Sequence, residues 1–138
     1  MQDYRILVVD DNLMSRKVMV QHLAAMGFTR IAPVESAAEA HERLIESHAR
    51  AEPFHLVLLD WNMPGEDGYR FLVKCREDER FASLPIIMAT VENDSKNVRM
   101  AMNKGATSYI VKPVSFADLK KSVFRALQPR LREAQRET

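Results

Sequence analysis

The sequence predicts an α/β domain built on a five-stranded, doubly wound parallel sheet. Two observations favour this class: short apolar runs alternate with amphipathic stretches along the 138 residues, and most of the runs are continuously apolar. Continuous apolar runs are typical of strands that are buried on both faces, as in parallel sheets. Parallel strands need crossover connections, which are right-handed, and five βα units therefore place helices on both faces of one sheet.

Four of the five predicted strands are almost wholly apolar, and a polar residue ends each of them. The remaining strand, residues 30–34, is weaker and contains Pro33, which cannot donate a hydrogen bond to a sheet. This proline predicts that the second strand lies at the edge of the sheet. The four apolar strands cover residues 6–9, 56–59, 85–89 and 108–111, and they end at Asp10, Asp60, Thr90 and Lys112.

Capping residues and glycines predict where the helices between the strands begin and end. Serine, aspartate and asparagine favour a helix start, whereas glycine favours a helix end and proline breaks the helical hydrogen-bond pattern. The predicted signals are Gly27 after the first helix, Ser36 and Glu39 as a capping box for the second, the span 69–77 for the third, Asn93 or Asp94 and Gly105 around the fourth, and Ser115 and Pro129 at the ends of the fifth.

The first helix carries two apolar stripes. Helical periodicity assigns one stripe to the core and the other to the opposite face, where we expect mild surface hydrophobicity. The predicted core stripe is Ser15, Val18, Met19, His22 and Met26, and the opposite stripe is Leu13, Val20 and Ala24.

Composition predicts one ordinary folded domain over residues 1–129, followed by a polar tail over 130–138. The chain is 46% hydrophobic and 28% charged, unlike a disordered protein, and its net charge of +1 does not favour nucleic acid or a membrane surface. A single cysteine excludes an internal disulfide bond and is consistent with a reducing compartment. With neither a signal peptide nor a membrane-spanning run in view, we expect a cytoplasmic location.

The polar residues at the strand ends predict a single site. Ligands of open α/β sheets bind beyond the carboxyl ends of the strands, where Asp10, Asp11, Asp60, Thr90 and Lys112 are expected to meet. Three neighbouring carboxylates repel one another unless a cation neutralises them, and carboxylate oxygens suit Mg²⁺. A carboxylate can also act as a nucleophile that forms an aspartyl phosphate. The pattern therefore predicts Mg²⁺ binding and phosphoryl transfer.

The segment 60–68, Asp-Trp-Asn-Met-Pro-Gly-Glu-Asp-Gly, closely resembles the phosphoacceptor loop of CheY-like response-regulator receiver domains. Segments 7–11 and 109–113 and the position of Thr90 resemble the same family, and the resemblance covers roughly residues 4–128. It implies the flavodoxin-like strand order 2-1-3-4-5, which agrees with an edge position for the second strand.

The resemblance implies a role for each acidic residue. Asp60 would be the phosphoacceptor, and Asp11 and Asp60 would bind Mg²⁺ through their side chains. Asn62 would bind the metal through its backbone carbonyl, and Asp10 would act mainly through a metal-bound water.

The resemblance also implies the phosphoryl-binding and switch residues. Lys112 would pair with the phosphoryl group, and its bond to Pro113 would be cis. Thr90 would move toward a phosphoryl oxygen while Tyr109 turns inward, which changes the output surface formed by the fourth helix, last strand and fifth helix.

Three positions are expected to tune the lifetime of the phosphoryl group. Asn62 and Glu92 lie two residues beyond the phosphoacceptor and the threonine, and this pair matches the chemotaxis-type members of the family, in which self-hydrolysis is relatively fast. Val91 departs from the family pattern, in which a smaller residue is commoner, and its bulk is expected to hinder access to the site.

The implied function is that of a response regulator in a two-component phosphorelay and not a dedicated enzyme. Its phosphodonor would be a sensor histidine kinase or a histidine phosphotransfer protein, and its target a protein rather than nucleic acid. We expect a monomer, or a dimer that forms on phosphorylation, acting alone or as part of a longer protein.

Two alternatives remain at this point. A pseudo-receiver would share the fold and bind partners without phosphotransfer, although no acidic residue and no lysine of the site is lost. A haloacid-dehalogenase-type aspartyl-phosphate hydrolase would need a second aspartate two residues after its nucleophile, where this chain has Asn62.

Overall fold

Strands and helices alternate along the chain in five successive βα units. The structure is a computed structural model that describes residues 3–137, with side chains described through residue 128. The strands are β1 (Arg5–Val9), β2 (Arg30–Val34), β3 (Leu56–Leu59), β4 (Ile86–Thr90) and β5 (Ser108–Val111). The helices are α1 (Leu13–Ala25), α2 (Ala37–Ala49), α3 (Gly68–Glu77), α4 (Ser95–Asn103) and α5 (Phe116–Glu137).

The five strands form one parallel sheet in the order β2-β1-β3-β4-β5. This order confirms the predicted fold class and places the proline-containing strand β2 at the edge. Val9 lies opposite Leu59, and Thr90 lies opposite Val111. Because these registers align the carboxyl ends of the strands, the residues that follow them emerge along one edge of the sheet.

The sheet separates two hydrophobic layers. Leu7 and Val9 of β1 face a layer that contains residues of α2, α3 and α4, whereas Ile6 and Val8 face a layer that contains residues of α1 and α5. All four of these side chains are at most 1% exposed. Full burial of each large aliphatic or aromatic side chain stabilises the fold by roughly 1.5–3 kcal/mol before the loss of chain entropy is counted.

The predicted helix ends are confirmed at several positions. Ser36 accepts a hydrogen bond from the backbone of Glu39 at 3.2 Å, and Asp94 caps α4. Gly27 and Gly105 follow α1 and α4 with φ angles of 101° and 100°, a region that favours glycine. Ser36 and Asp94 therefore mark the starts of α2 and α4, and Gly27 and Gly105 mark the ends of α1 and α4.

The predicted core face of α1 is wrong in part. Val18 was assigned to the core but is 38% exposed, whereas Leu23 is fully buried beside Met19. Apolar residues occur on several sides of α1, so periodicity alone does not select a face. Packing of α1 against the sheet and α5 selects the stripe that contains Met19 and Leu23.

The predicted end of the fifth helix at Pro129 is also wrong, because α5 continues to Glu137. Proline removes one backbone hydrogen bond and crowds the preceding turn, but helices can absorb this by kinking. The residues after it are mainly arginine, leucine, glutamate, alanine and glutamine, which all favour helix. Within the described residues, no helix has both the length and the apolar character needed to cross a membrane.

The two faces of α1 can be distinguished by substitution. Leu23→Ala is expected to lower the free energy of unfolding by about 2–5 kcal/mol, because it leaves a cavity in the core. Val18→Ala is expected to lower it by less than about 1 kcal/mol, because that side chain is partly exposed. Urea denaturation followed by circular dichroism measures both, and equal losses would contradict the observed orientation of α1.

Candidate functional site

Three carboxylates from two strand ends form an acidic cluster at the carboxyl edge of the sheet. Asp10 and Asp11 follow β1, and Asp60 follows β3. Each can place one carboxylate oxygen within 4.8 Å of the others. Asp10 and Asp60 are 2% and 6% exposed, whereas Asp11 is exposed. The structure therefore brings together the three acidic residues that the sequence places at this site.

Asp10 is held by three hydrogen-bond donors. Its Oδ1 atom accepts a hydrogen bond from the backbone of Asn12 at 2.9 Å. Its Oδ2 atom accepts from Ser15 Oγ at 2.6 Å and from Lys112 Nζ at 2.8 Å. The sequence placed Ser15 only on the core face of α1 and missed this contact, although its position in the first helical turn after the aspartates was a possible signal.

Asp60 is the less satisfied of the two buried carboxylates. Its Oδ2 atom lies 3.4 Å from Lys112 Nζ, while Oδ1 is buried and accepts no hydrogen bond from the described residues. Burial raises the pKa of Asp60 above its ordinary value of 3.8, and Asp10 raises it further. Lys112 and the nearby Thr90 hydroxyl oppose this rise, although Thr90 does not reach hydrogen-bond geometry with Oδ1.

The acidic cluster fits a magnesium ion. Mg²⁺ prefers oxygen ligands and is usually held by one or two carboxylates together with water and phosphate. The Oδ1 atom of Asp60 has no hydrogen-bond partner among the described residues, and the carboxylate of Asp11 is exposed, so both are available as such ligands. A divalent cation here would also reduce the repulsion among the three carboxylates.

Thr90 and Lys112 bring a hydroxyl and an ammonium group to the same edge. Thr90 is fully buried at the end of β4, and its hydroxyl oxygen accepts a hydrogen bond from the backbone of Glu92 at 3.3 Å. Lys112 follows β5, and its backbone donates to the carbonyl of Thr90 at 2.8 Å. The peptide bond between Lys112 and Pro113 is cis.

Tyr109 connects β5 to the segment that follows Thr90. Its hydroxyl donates a hydrogen bond to the backbone carbonyl of Glu92 at 2.6 Å, while Asn97 of α4 donates to the Glu92 carboxylate at 2.9 Å. Burial, Glu92 and Asp60 raise the pKa of Tyr109 to about 12. The phenol therefore stays protonated and acts as a donor at neutral pH.

The loop between β3 and α3 folds tightly against Asp60. Gly68 donates a backbone hydrogen bond to the carbonyl of Trp61 at 2.8 Å. A Cβ atom at Gly68 would lie 2.0 Å from the backbone oxygen of Asp60, which only glycine avoids. The indole of Trp61 stacks on Tyr69 with ring centroids 5.3 Å apart. Gly68 belongs to the motif that the sequence identified, but its close approach to Asp60 was not predicted.

Glu66 ties this loop to two helices. Its carboxylate contacts His41 Nε2 of α2 at 3.1 Å and the ammonium of Lys74 of α3. Burial opposes ionisation, yet Lys74 and His41 together lower the pKa of Glu66 below its ordinary value. The sequence assigned no role to either member of the His41–Glu66 pair, because their separation along the chain gave no signal.

The positions expected to tune the phosphoryl lifetime lie near the surface. Asn62 is exposed, and Val91 is 63% exposed immediately after the buried Thr90. Glu92 is partly buried, and its carboxylate accepts a hydrogen bond from Asn97. Val91 is therefore free of core packing at the end of β4.

The chain is similar to a known protein family and to several known proteins. The family described as "Response regulator receiver domain" matches residues 6–124. The chemotaxis protein CheY1 of Helicobacter pylori is 34% identical over 119 residues, which are 86% of this chain and 93% of that protein. A chemotaxis protein CheY homolog of Campylobacter jejuni is 31% identical over 86% of this chain and 88% of its own length.

Solved structures show the same similarity. A CheY-like response regulator receiver domain protein from Methanospirillum hungatei JF-1 aligns with a TM-score of 0.80 at 28% sequence identity, over 94% of this chain and 98% of that chain. Chemotaxis protein CheY4 of Vibrio cholerae aligns with a TM-score of 0.75 at 26% identity, over 90% of this chain and 98% of its own.

The raised pKa of Asp60 predicts a pH-dependent cost to stability. In metal-free buffer at pH 7, Asp60→Asn is expected to raise the free energy of unfolding by about 1–3 kcal/mol, because it removes a buried charge, one oxygen of which has no hydrogen-bond partner among the described residues. The unfolded carboxyl titrates near 3.8 and the folded one above it. The increase in the free energy of unfolding should therefore be complete above the pKa of Asp60 in the folded protein. It should shrink as the pH falls through that pKa and vanish near pH 3.8.

Urea denaturation in the presence of a chelator, repeated across this pH range, measures the gain. Asp11→Asn is the matched control, since it removes an exposed carboxylate of the same cluster and should change stability less. A gain that persists below pH 3.8 would contradict the assignment to the Asp60 charge.

Proposed function

The chain belongs to the family of response regulator receiver domains, and from that membership we propose that it accepts a phosphoryl group on Asp60 and thereby changes its affinity for a protein partner. The observation that carries the proposal is the Asp60 carboxylate itself. It is buried, one of its oxygens has no partner among the described residues, and Lys112 lies 3.4 Å from the other. Such a group is poised to form a new bond at that edge of the sheet.

The proposed reaction transfers a phosphoryl group from a histidine of a sensor kinase or phosphotransfer protein. An Asp60 oxygen attacks phosphorus, the histidine nitrogen–phosphorus bond breaks, and its electron pair returns to the imidazole. The product is an acyl phosphate, and attack by water on its phosphorus later releases inorganic phosphate and restores the carboxylate. Lys112 is placed to pair with the added negative charge.

The residues proposed to hold Mg²⁺ are Asp11 and Asp60 through their side chains and Asn62 through its backbone carbonyl. When bound, the ion would supply positive charge that stabilises the transferring phosphoryl oxygens. Asp10 is proposed to act mainly through a metal-bound water. Its Oδ2 atom already accepts two hydrogen bonds, which supports an indirect role because a carboxylate oxygen has about two lone-pair sites.

The proposed switch uses Thr90 and Tyr109. The Thr90 hydroxyl accepts a hydrogen bond but has its own proton to donate, and a phosphoryl oxygen on the neighbouring Asp60 would attract it. Tyr109 donates to the backbone carbonyl of Glu92, which lies two residues after Thr90. Movement of Thr90 would therefore change the hydrogen bond between Tyr109 and Glu92. This coupling would shift the population between two packings of the segment that joins β4 to α4.

The face formed by α4, β5 and α5 is proposed as the surface that a target protein binds. Met102 of α4 and Val111 of β5 are each 42% exposed on these elements, which gives the surface apolar area without a core role. The names of the Helicobacter and Campylobacter relatives, together with the Asn62 and Glu92 pair, support a chemotaxis-type regulator as the more specific assignment.

Intact mass spectrometry tests the phosphoacceptor directly. After incubation with a small phosphodonor such as acetyl phosphate and Mg²⁺, the protein is expected to gain one phosphoryl group. The adduct should be lost in Asp60→Asn and without the metal, whereas Asp67→Asn, which changes a nearby helix cap, should retain it. No adduct on the wild-type protein would reject the proposal and favour a binding module without phosphotransfer.

Substitution of Val91 tests the proposed control of lifetime. Val91→Ala is expected to raise the rate of self-dephosphorylation several-fold, because it removes exposed bulk beside the site without disturbing the core. The decay of the phosphorylated mass gives the rate. Val111→Ala, which shortens an exposed valine on β5, serves as the control, and an unchanged or slower rate in Val91→Ala would contradict steric gating.

A further inference from the structure

A cluster of arginines lies at the opposite end of the sheet from the acidic site. Arg5 begins β1 and Arg30 begins β2, and the strand register places them directly opposite each other. Arg43 and Arg50 come from α2 and its carboxyl end, which returns to the same region. Like charges at opposed positions on neighbouring strands are destabilising unless something compensates them.

Three of these arginines, Arg5, Arg43 and Arg50, line a surface pocket of about 300 Å³. This volume is at the lower limit of small-molecule sites, so it suits a compact ligand. Its lining includes Ser47, which is 5% exposed. The pocket is lined by Arg5, Arg43, Glu46, Ser47, Arg50 and Glu52.

The two glutamates do not balance the four arginines. A single oxygen of Glu52 serves both Arg5, at 3.9 Å, and Arg30, at 3.4 Å. The carboxylate of Glu46 pairs with Arg50 at 2.9 Å. Arg43 has no ion pair with any described residue. The pocket lining itself holds three arginines and two glutamates, which leaves a local charge of about +1, and Arg30 adds a further positive charge beside Glu52.

Arg5 is fixed in place, and the neighbouring positive charges affect its pKa. Its guanidinium lies over the ring of Phe54, 4.6 Å from the centroid, and donates to the backbone carbonyl of Glu52. Burial lowers the pKa of Arg5, and the other arginines lower it further against the opposing effect of Glu52. A preorganised guanidinium beside an unpaired one is the arrangement that binds phosphate groups well, because each offers a planar fork of donors.

We propose that this pocket binds a small multivalent phosphate anion, such as a diphosphate group, with Arg43 and Arg50 as its adjustable contacts and Arg5 as its fixed wall. The ligand would neutralise the charge that Glu46 and Glu52 leave unbalanced. This site is separate from the acidic cluster and does not depend on Asp60 or on Mg²⁺.

Isothermal titration of the metal-free protein with inorganic pyrophosphate, at matched ionic strength, tests the proposal. The wild-type protein is expected to bind one equivalent, and Arg43→Gln is expected to raise the Kd about tenfold, which corresponds to the loss of one charge-assisted contact. Arg99→Gln removes an exposed arginine of α4 with the same change in net charge and should leave the Kd unchanged.

Arg43 makes no described ion pair, so its substitution should not unfold the protein, and urea denaturation of both variants checks this. A second titration uses phosphatidylcholine vesicles with and without phosphatidylglycerol. Arg43-dependent binding of pyrophosphate supports the proposal, whereas Arg43-dependent binding of the anionic vesicles alone would overturn it, because phosphatidylglycerol carries a single phosphodiester charge. The proposal is overturned if neither probe binds, or if Arg43→Gln and Arg99→Gln behave alike.

Discussion

Lys112 holds together an arrangement that would otherwise be unfavourable. Its ammonium lies between two buried carboxylates, 2.8 Å from Asp10 and 3.4 Å from Asp60. Burying like charges next to each other is costly, and the parallel register forces that proximity because Val9 and Leu59 end their strands side by side. The sheet thus brings the carboxylates of Asp10 and Asp60 together, and Lys112, which follows β5, reduces the repulsion between them.

The loop between β3 and α3, at the same edge of the sheet, is also held in place by specific contacts. Gly68 lets α3 approach the backbone of Asp60, and Glu66 ties the intervening loop to α2 and α3 through His41 and Lys74. These contacts fix the backbone and the loop that follow Asp60. The buried Asp60 carboxylate costs stability, which is the compromise expected where a functional site stores unfavourable charge.

The sequence predicted the fold and the strand-end residues well because both follow from local patterns. Continuous apolar runs define the strands, and a polar residue ends each one, so Asp10, Asp60 and Thr90 could be placed without knowing any contact. It failed where tertiary packing decides between similar choices, as in the face of α1 that buries Leu23 instead of Val18. Glu66 and His41 were missed for the same reason, since only the fold brings residues 25 positions apart into contact.

The two contacts of Lys112 are unequal, and this has a consequence for the proposed switch. The shorter contact is with Asp10, whose Oδ2 atom also accepts a hydrogen bond from Ser15. The contact between Lys112 and Asp60 is therefore the weaker of the two. A phosphoryl group on Asp60 would carry more negative charge than the carboxylate it replaces and would extend beyond it. The phosphoryl group would compete with Asp10 for Lys112 and would also attract the Thr90 hydroxyl. Lys112, which stabilises the resting state, would therefore also be needed by the phosphorylated state, and this shared demand would couple the proposed phosphorylation to the packing of β4 and β5.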